Sequence, residues 1–261
     1  MEELTLYFSL KYEGDFQKIY KALLNKEKVD EHLKNKLFKQ LRCQYTTIFS
    51  NDYPERLKNI NCPPFVLYYY GDLSLVNTKT IGIVGMREPS QYGIESTKMF
   101  VSELVQHNYT IVSGMARGID GISHQSTMDN KGHTIAVLGS GIEYCYPLRH
   151  RHLYEEMKKN HLIISEYPLM TAPKQQMFPF RNRIVAGLSK SVLVIEARQK
   201  SGTMITAGYA LEQGKEVYAV PSRVFDYDGC NVLIQQGAKM VLNVNDIVED
   251  EVMGWQNGKK K

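Results

Sequence analysis

The chain has 261 residues, and its 32 Lys and Arg outweigh 28 Asp and Glu to give a formal net charge of +4. This length allows one α/β domain with a small appendage or two modest domains, and the weak basic balance means that any basic site must be local. The four cysteines form no CxxC pair and no Cys/His cluster, which argues against a metal site or a disulfide framework and favours a reduced, cytosolic protein. The apolar runs are of strand length, so no membrane segment is predicted.

The N-terminal part is predicted to be a small helical module. Apolar residues such as Ile19, Leu23, Leu33 and Leu37 recur at helical spacing among many lysines between residues 12 and 49. These lysines could touch a phosphate backbone, although charge on a short amphipathic helix is usually a solvated face. We assign residues 1–52 to this module, 53–245 to the main domain, and 246–261 to a short C-terminal helix and basic tail.

A strand at residues 65–70 precedes a regular alternation of strands and helices. Apolar strands are predicted at 81–85, 110–112, 134–138, 162–165, 191–195 and 216–220, with helical runs between most of them. Continuous apolar strands spaced by helices indicate a parallel sheet that is buried on both faces. In such α/β sheets ligands bind at the carboxyl ends of the strands.

Small residues, hydroxyls and cations follow several of these strands. The turn at 113–118 has the form of a phosphate-sized loop before a helix, whose backbone N–H groups and dipole attract anions. We therefore predict a phosphate-binding edge, although each residue could separately serve a turn or a helix cap. Its predicted residues are Gly85, Arg87, Ser113, Gly114, Arg117, Gly118, Gly139, Ser140, Ser201, Gly202 and Thr203.

The usual nucleotide and catalytic motifs are missing from this edge. The chain contains neither GxGxxG nor GxxxxGK[ST], and its histidines have no evident nucleophile or metal partner nearby in sequence. A nucleotide or phosphoribosyl-compound hydrolase or sensor remains an alternative, for which Glu196 is the attractive carboxylate. A helix cap, or an ion pair with Arg198 or Arg181, is the simpler role for Glu196.

Two segments interleave aromatic rings with arginines, a mixture that suits a single strand because rings stack on bases while guanidinium groups hold the backbone. They are YCYPLRHRH at 144–152 and MFPFRNR at 177–183. Phe178 and Phe180 could instead be core residues of a helix. The predicted nucleic-acid contacts here are Tyr146, Arg149, Arg151, Lys174, Phe178, Arg181, Asn182 and Arg183.

The segment 229–242 is rich in apolar residues and follows the last strand that the sheet needs. A final edge strand left open invites pairing with a second copy across a two-fold axis. These side chains could also complete the core. The residues predicted to face the partner are Val232, Leu233, Met240 and Leu242.

Several motifs in fixed order resemble the DprA/Smf family of bacterial DNA-processing proteins. The matching segments include IGIVGMREPSQYG at 81–93, IVSGMARGIDGISH at 111–124, FPFRNRIVAGL at 178–188 and GCNVLIQQGA at 229–238. The resemblance covers residues 53–241 and leaves the N-terminal helical residues poorly specified.

This resemblance implies an extended Rossmann-like domain that binds single-stranded DNA without a cofactor and is not an enzyme. It further implies a homodimer formed through the C-terminal part, loading of the recombinase RecA in natural transformation or related recombination, and contact with single-strand-binding protein. Arg87 matches a family arginine that grips phosphate, and the Tyr146-Pro147 loop matches a DNA-contacting loop. Here Leu148 stands where many relatives have lysine, so that lysine's role must pass to Arg149 or Arg151 or be lost.

Overall fold

The computed structural model describes residues 1–226 and 229–250. Within them a single sheet contains β1 (Gln44–Thr47), β2 (Val66–Gly71), β3 (Thr80–Val84), β4 (Thr110–Ser113), β5 (Thr134–Val137), β6 (Leu162–Ser165), β7 (Ser191–Val194), β8 (Glu216–Ala219) and β9 (Lys239–Met240). The helices are α1 (Glu2–Lys11), α2 (Phe16–Leu24), α3 (Glu31–Phe38), α4 (Glu55–Lys58), α5 (Gln91–Gln106), α6 (Ile119–Asp129), α7 (Arg151–Asn160), α8 (Met177–Leu188), α9 (Gly202–Glu212) and α10 (Gly229–Gln235). Short 3-10 turns occupy Leu73–Asn77 and Leu148–His150.

The strands lie in the order β1-β2-β6-β5-β4-β3-β7-β8-β9. In this spatial order, every pair of neighbouring strands between β6 and β9 is parallel. Strand β2 runs antiparallel to β6, and β1 runs antiparallel to β2. The predicted α/β class, a mostly parallel Rossmann-like sheet preceded by a small helical part, is therefore confirmed.

Both faces of the sheet are covered, as continuous apolar strands require. Ile81 and Ile83 of β3 pack on one face with Phe100 of α5, whereas Val84 points to the opposite face and joins the core formed with Val185 of α8. The side chains of β3 therefore alternate between two cores although every residue of the strand is buried.

The N-terminal helices pack against the antiparallel side of the sheet. Leu6 and Leu10 of α1 share a buried cluster with Val66 and Tyr68 of β2. Residues 44–47, which we predicted to lie in the helical module, instead form strand β1. Their backbone pairs with residues 66–69, and this tertiary contact overrides the helical surroundings in sequence.

The C-terminal segment also differs from the expectation of one edge strand. Residues 229–235 form helix α10, and the edge strand β9 that follows it has two residues. Residues 245–250 are helical, whereas 251–261, which contain the rest of the predicted C-terminal helix and basic tail, lie outside the described residues. Throughout the described part, we find no helix with the length and hydropathy needed to cross a membrane.

Candidate nucleic-acid interface

A pocket of about 870 Å³ lies at the carboxyl ends of β3 and β4, between the first turns of α8 and α9. It brings together residues from five segments of the chain that are distant in sequence. The predicted residues that line it are Gly85, Arg87, Gly114, Arg117, Tyr146, Phe178, Arg181, Asn182, Ser201, Gly202 and Thr203. This is the location that the strand-end rule for α/β sheets indicates.

One wall of the pocket combines a cation with two rings. The guanidinium carbon of Arg87 lies 5.7 Å from the ring centroid of Phe178, and the Phe178 and Tyr146 centroids are 5.5 Å apart. Arg87 is exposed, and no carboxylate in the described residues forms an ion pair with it. The wall therefore offers a ring face for stacking beside a charge that is free to meet an anion.

Gly139 contributes space to this wall. A Cβ at this position would lie 2.7 Å from Cδ1 of Phe178, so only glycine allows the ring to pack here. The predicted direct contact of Gly139 with nucleic acid is replaced by this supporting role. Ser140 is buried, and its hydroxyl donates to the carbonyl of Tyr144 over 2.8 Å, so it too stabilises the loop and does not reach the pocket.

The backbone N–H groups of the turn after β4 are bound by the side chain of Asp120. Oδ2 of the buried Asp120 accepts hydrogen bonds from the backbone N–H groups of Gly114 at 3.2 Å and Ala116 at 3.3 Å. Burial raises the pKa of this carboxyl, an effect that the nearby Arg181 opposes. Our expectation that these two N–H groups bind phosphate is therefore wrong, because Asp120 already uses them.

Two other residues of this turn are also structural. The hydroxyl of Ser113 is buried and donates to the carbonyl of Ile83 at 2.7 Å. Gly118 has a φ of 73° and precedes α6, and a Cβ there would lie 2.2 Å from the carbonyl oxygen of Met86. The Ser113 hydroxyl is not available to a ligand, so its predicted direct contact is wrong, whereas the contact of Gly118 with nucleic acid stays a prediction. Arg117 remains exposed at the rim, 3.7 Å from Glu88.

Arg181 forms part of the pocket but is almost wholly buried. Its Nη1 donates to the carbonyls of Gly114 and Val137, and its Nε donates to Oδ1 of Asn182 at 3.0 Å. Burial lowers the pKa of Arg181. Most of its donors are therefore used to join β4, β5 and α8 beneath the pocket.

The first turn of α9 closes the opposite wall. Ser201 caps this helix by accepting from the N–H of Met204, and the hydroxyl of Thr203 donates to the carbonyl of Gly85 at 3.0 Å. Ile205 and Thr206 also line the pocket, and we did not predict them. They lie one helical turn after Ser201 and Gly202, so the helical repeat was the signal that would have found them.

Three of the predicted cations lie outside this pocket. Arg149 is exposed on the adjoining loop, and Arg151 is exposed on α7 with its Nε 3.4 Å from Glu155. Lys174 is exposed and lies 3.8 Å from Glu13 of the N-terminal module. A strand would have to leave the pocket to reach any of them.

Arg183 is buried and paired within the fold. Its side chain is only 2% exposed and makes a two-pronged ion pair with Glu166 at 2.8 and 2.7 Å. Its Nε donates to the carbonyl of Cys62 at 2.9 Å, and the ring of Phe180 covers its guanidinium at 3.6 Å. The prediction that Arg183 contacts nucleic acid is therefore wrong, because the guanidinium has no free face.

Glu196 is also occupied within the fold. Its Oε1 accepts from the hydroxyl of Ser90 at 2.6 Å, and its Oε2 accepts from the N–H of Ser90 at 2.9 Å. Ser90 is the N-cap of α5, so the carboxylate lies at the positive end of that helix. This is the capping role that we considered the simpler one for Glu196.

The residues predicted to face a partner divide between surface and core. Met240 of the edge strand β9 is 52% exposed, Leu242 is also exposed, and Val232 is half-buried. Leu233 is buried in the core beneath the sheet, so its predicted place on a dimer surface is wrong. Leu233 lies on the inner face of α10, the helix that packs against β8.

Comparisons with known proteins agree with this fold. The family model of DNA recombination-mediator protein A matches residues 44–251. DNA processing protein DprA of Bacillus subtilis is 45% identical over 206 residues, covering 78% of this chain and 69% of the relative. Protein Smf of Synechocystis is 44% identical, and the match covers 78% of this chain but only 53% of that protein.

Two solved structures share the architecture. DNA processing protein A from Streptococcus pneumoniae superposes with a TM-score of 0.80 at 29% identity, covering 95% of this chain and 97% of the other. DNA processing protein A from Helicobacter pylori, whose structure concerns its single-stranded DNA binding mode, gives a TM-score of 0.74 at 30% identity. That match covers 82% of this chain and 98% of the other.

Proposed function

This chain belongs to the DNA recombination-mediator protein A family, and from this membership we propose that it binds single-stranded DNA in the pocket lined by Arg87 and Phe178. The observation that carries the proposal is that the Arg87 guanidinium, which has no carboxylate partner among the described residues, lies 5.7 Å from the Phe178 ring centroid. The Tyr146 ring centroid lies 5.5 Å from the same ring. A single strand exposes both bases and phosphates, so one wall meets both kinds of group. The single-stranded DNA binding mode described for the Helicobacter pylori relative supports this choice of ligand.

The phosphates are held by exposed cations and by the start of α9. Arg87 and, at the rim, Arg117 supply charge, while the N-terminus of α9 adds a favourable dipole. Such contacts fix the position of a strand but do not read its bases. We therefore expect binding with little sequence preference.

The same pocket argues for binding without catalysis. A hydrolase acting on nucleotides or phosphoribosyl compounds would require a carboxylate poised beside its phosphate site. Of the two acids that line the pocket, Asp120 is held by the N–H groups of Gly114 and Ala116, and Glu88 lies 3.7 Å from Arg117. Glu196 lies outside the lining and is held by Ser90. We propose that this chain is not an enzyme. Turnover of free nucleotides by the purified protein would contradict this.

The first test is an anisotropy titration of Arg87→Ala with labelled single strands. The variant should bind more weakly to all base compositions, and the slope of log affinity against log salt should become shallower by about 0.7 for one lost phosphate contact. Arg42→Ala is the matched control, because Arg42 is an exposed arginine next to β1 at the far edge of the sheet. Unchanged affinity and slope in Arg87→Ala would remove Arg87 from the site.

We further propose that two copies pair through the open edge at β9, with Met240 and Leu242 in the contact and Val232 beside it. Met240 and Leu242 are exposed at an edge strand, which is the arrangement that favours pairing with a second copy. From the family resemblance, we propose that the protein acts as a recombination mediator that loads RecA at an overlapping surface and helps to displace single-strand-binding protein.

The variant Met240→Glu tests this assembly. It should sediment as a folded monomer that still binds short single strands but loads RecA poorly, because a charge opposes burial at the edge. A circular dichroism melt confirms folding. A variant that stays dimeric and loads normally would locate the interface elsewhere.

A further inference from the structure

We propose that the bound single strand continues from the pocket onto the N-terminal module, where Phe16 and Tyr20 of α2 form a second stacking surface. This inference rests on the proposed binding of single-stranded DNA. The family model begins at residue 44, so it does not include this helix. The surface is defined here by Phe180, Phe16 and Tyr20 and is called the aromatic row.

The aromatic row leads outward from α8. The Phe180 and Phe16 ring centroids are 6.2 Å apart, and those of Phe16 and Tyr20 are 6.4 Å apart with an angle of 5° between the ring planes. Phe65 supports Phe16 from one side at 5.0 Å. Tyr20 is 49% exposed at the outer end, so half of its surface is open to a ligand.

Tyr20, at the outer end of the aromatic row, is not required by the core of the module. Ile19 and Ala22 of α2 are buried and fill the cluster with Tyr7 and Phe8 of α1, whereas Tyr20 lies on the other side of the helix. A large ring is costly to leave in water, so its exposure next to further aromatic rings marks a place where another molecule can bind.

The row adjoins the pocket through the segment before α8. Pro173 and Gln175 line the pocket, while Lys174 between them lies 3.8 Å from Glu13 of the module. Phe178 of the pocket wall and Phe180 of the row are two residues apart in the first turn of α8, so their rings leave the helix on different sides of this turn. A strand that leaves the pocket past this turn meets Lys174 first and the row next.

The charge on α2 matches a polyanion. Lys18 and Lys21 are exposed on this helix, and the helix itself contains no acidic residue. Lys18 lies 3.7 Å from Asp15, an exposed pair that contributes little in water and can exchange its partner for a phosphate. Rings flanked by lysines suit a single strand better than they suit an apolar protein surface.

The module is held in a fixed position relative to the pocket. Gly14, at φ 75°, packs so closely that a Cβ would lie 2.5 Å from the carbonyl oxygen of Glu166 and 2.9 Å from the ring of Tyr167. Phe16 follows this contact directly. The row is therefore presented on a rigid support, which lowers the entropy lost when a strand binds.

The test compares short and long oligothymidylates on the full chain. A strand of about 5 nucleotides fills the pocket alone, whereas one of about 20 nucleotides reaches the row. Tyr20→Ala should weaken binding of the long strand by about 5-fold or more, since loss of one stacked base costs at least that much, and should leave the short strand unaffected. Tyr20→Phe keeps the ring and should bind both strands as the wild type does.

Three controls separate this inference from its competitors. Lys21→Ala should make the salt slope shallower by about 0.7 for the long strand only, whereas Tyr20→Ala should leave the slope unchanged. Leu24→Ala, at a 66% exposed apolar position one turn beyond Tyr20, should change neither strand because it has no π face. Photocross-linking of a long strand carrying 5-iododeoxyuridine should label Tyr20 or Phe16.

Equal affinity of Tyr20→Ala and wild type for the long strand, with Arg87→Ala still impaired, would overturn the aromatic row and leave the pocket intact. Loss of self-association in Tyr20→Ala without DNA, seen by sedimentation, would assign the row to contacts between copies and also overturn it. A wild-type protein that binds neither strand would instead contradict the proposed function.

Discussion

Removal of the buried Arg183 guanidinium should destabilise the fold without weakening the DNA site. In Arg183→Ala, the Glu166 carboxylate, only 4% exposed, would lose both of its arginine hydrogen bonds. Removing one partner of a buried ion pair typically costs about 3–5 kcal/mol, because an uncompensated charge is left in a poorly solvated site. For a chain of this size the melting temperature should fall by roughly 10 °C, at about 2–4 °C per kcal/mol.

The assay combines a urea melt with a titration of single-stranded DNA at a temperature where the variant is folded. The double variant Arg183→Met with Glu166→Leu is the control, because it removes both charges and keeps similar volumes. It should be less destabilised than Arg183→Ala. If Arg183→Ala keeps wild-type stability and loses affinity tenfold, the side chain contacts the strand and the structural role is wrong.

Four other substitutions give distinct results. Phe178→Ala should lower DNA affinity by roughly 1–3 kcal/mol with a small loss of stability. Phe180→Ala uncovers the Arg183 guanidinium and should mainly lower the melting temperature. Binding curves and thermal melts of both variants show which ring contacts DNA and which supports the fold. Burial lowers the pKa of His124 to about 3, so the unfolded chain takes up a proton below about pH 6.5 that the folded chain does not. The free energy of unfolding should therefore fall as pH is lowered, by up to about 1.4 kcal/mol per pH unit. Denaturant melts of His124→Asn should show a shallower dependence of stability on pH, and an equal dependence would contradict this. Gly118→Ala should distort or unfold the turn, because the added Cβ has no room and the φ of 73° disfavours alanine. An unchanged melting temperature and DNA affinity would show that the turn accepts alanine.

The buried strands of the sheet could be predicted because their apolar residues are consecutive in sequence. Strand β1 could not, since its four residues have only two buried positions and follow a Lys-rich helix. Its pairing with β2 depends on backbone contacts between residues far apart in sequence, from Thr47 with Val66 to Gln44 with Tyr69. The two-residue strand β9 was not predicted because it follows α10 within one apolar segment, and only its pairing with β8 distinguishes it.

The pocket was predictable in outline because strand ends carry their residues to one edge. What local sequence could not supply was the partner of each polar group. Arg183 and Phe180 belong to a sequence pattern typical of nucleic-acid contacts. The carboxylate that pairs with Arg183 belongs to Glu166, which lies 17 residues earlier and directly follows β6. Asp120 follows Gly114 by six residues, yet its use of the Gly114 and Ala116 N–H groups is evident only from the three-dimensional turn.

The carboxylate of Asp120 has a consequence for the rate of DNA exchange. Because it accepts hydrogen bonds from the Gly114 and Ala116 N–H groups within the fold, we expect the turn to keep its shape when a strand binds. A strand then encounters a preformed surface, and its capture does not wait for a loop to order. We expect association close to the electrostatically steered limit, and release that leaves the site ready for the next segment of DNA.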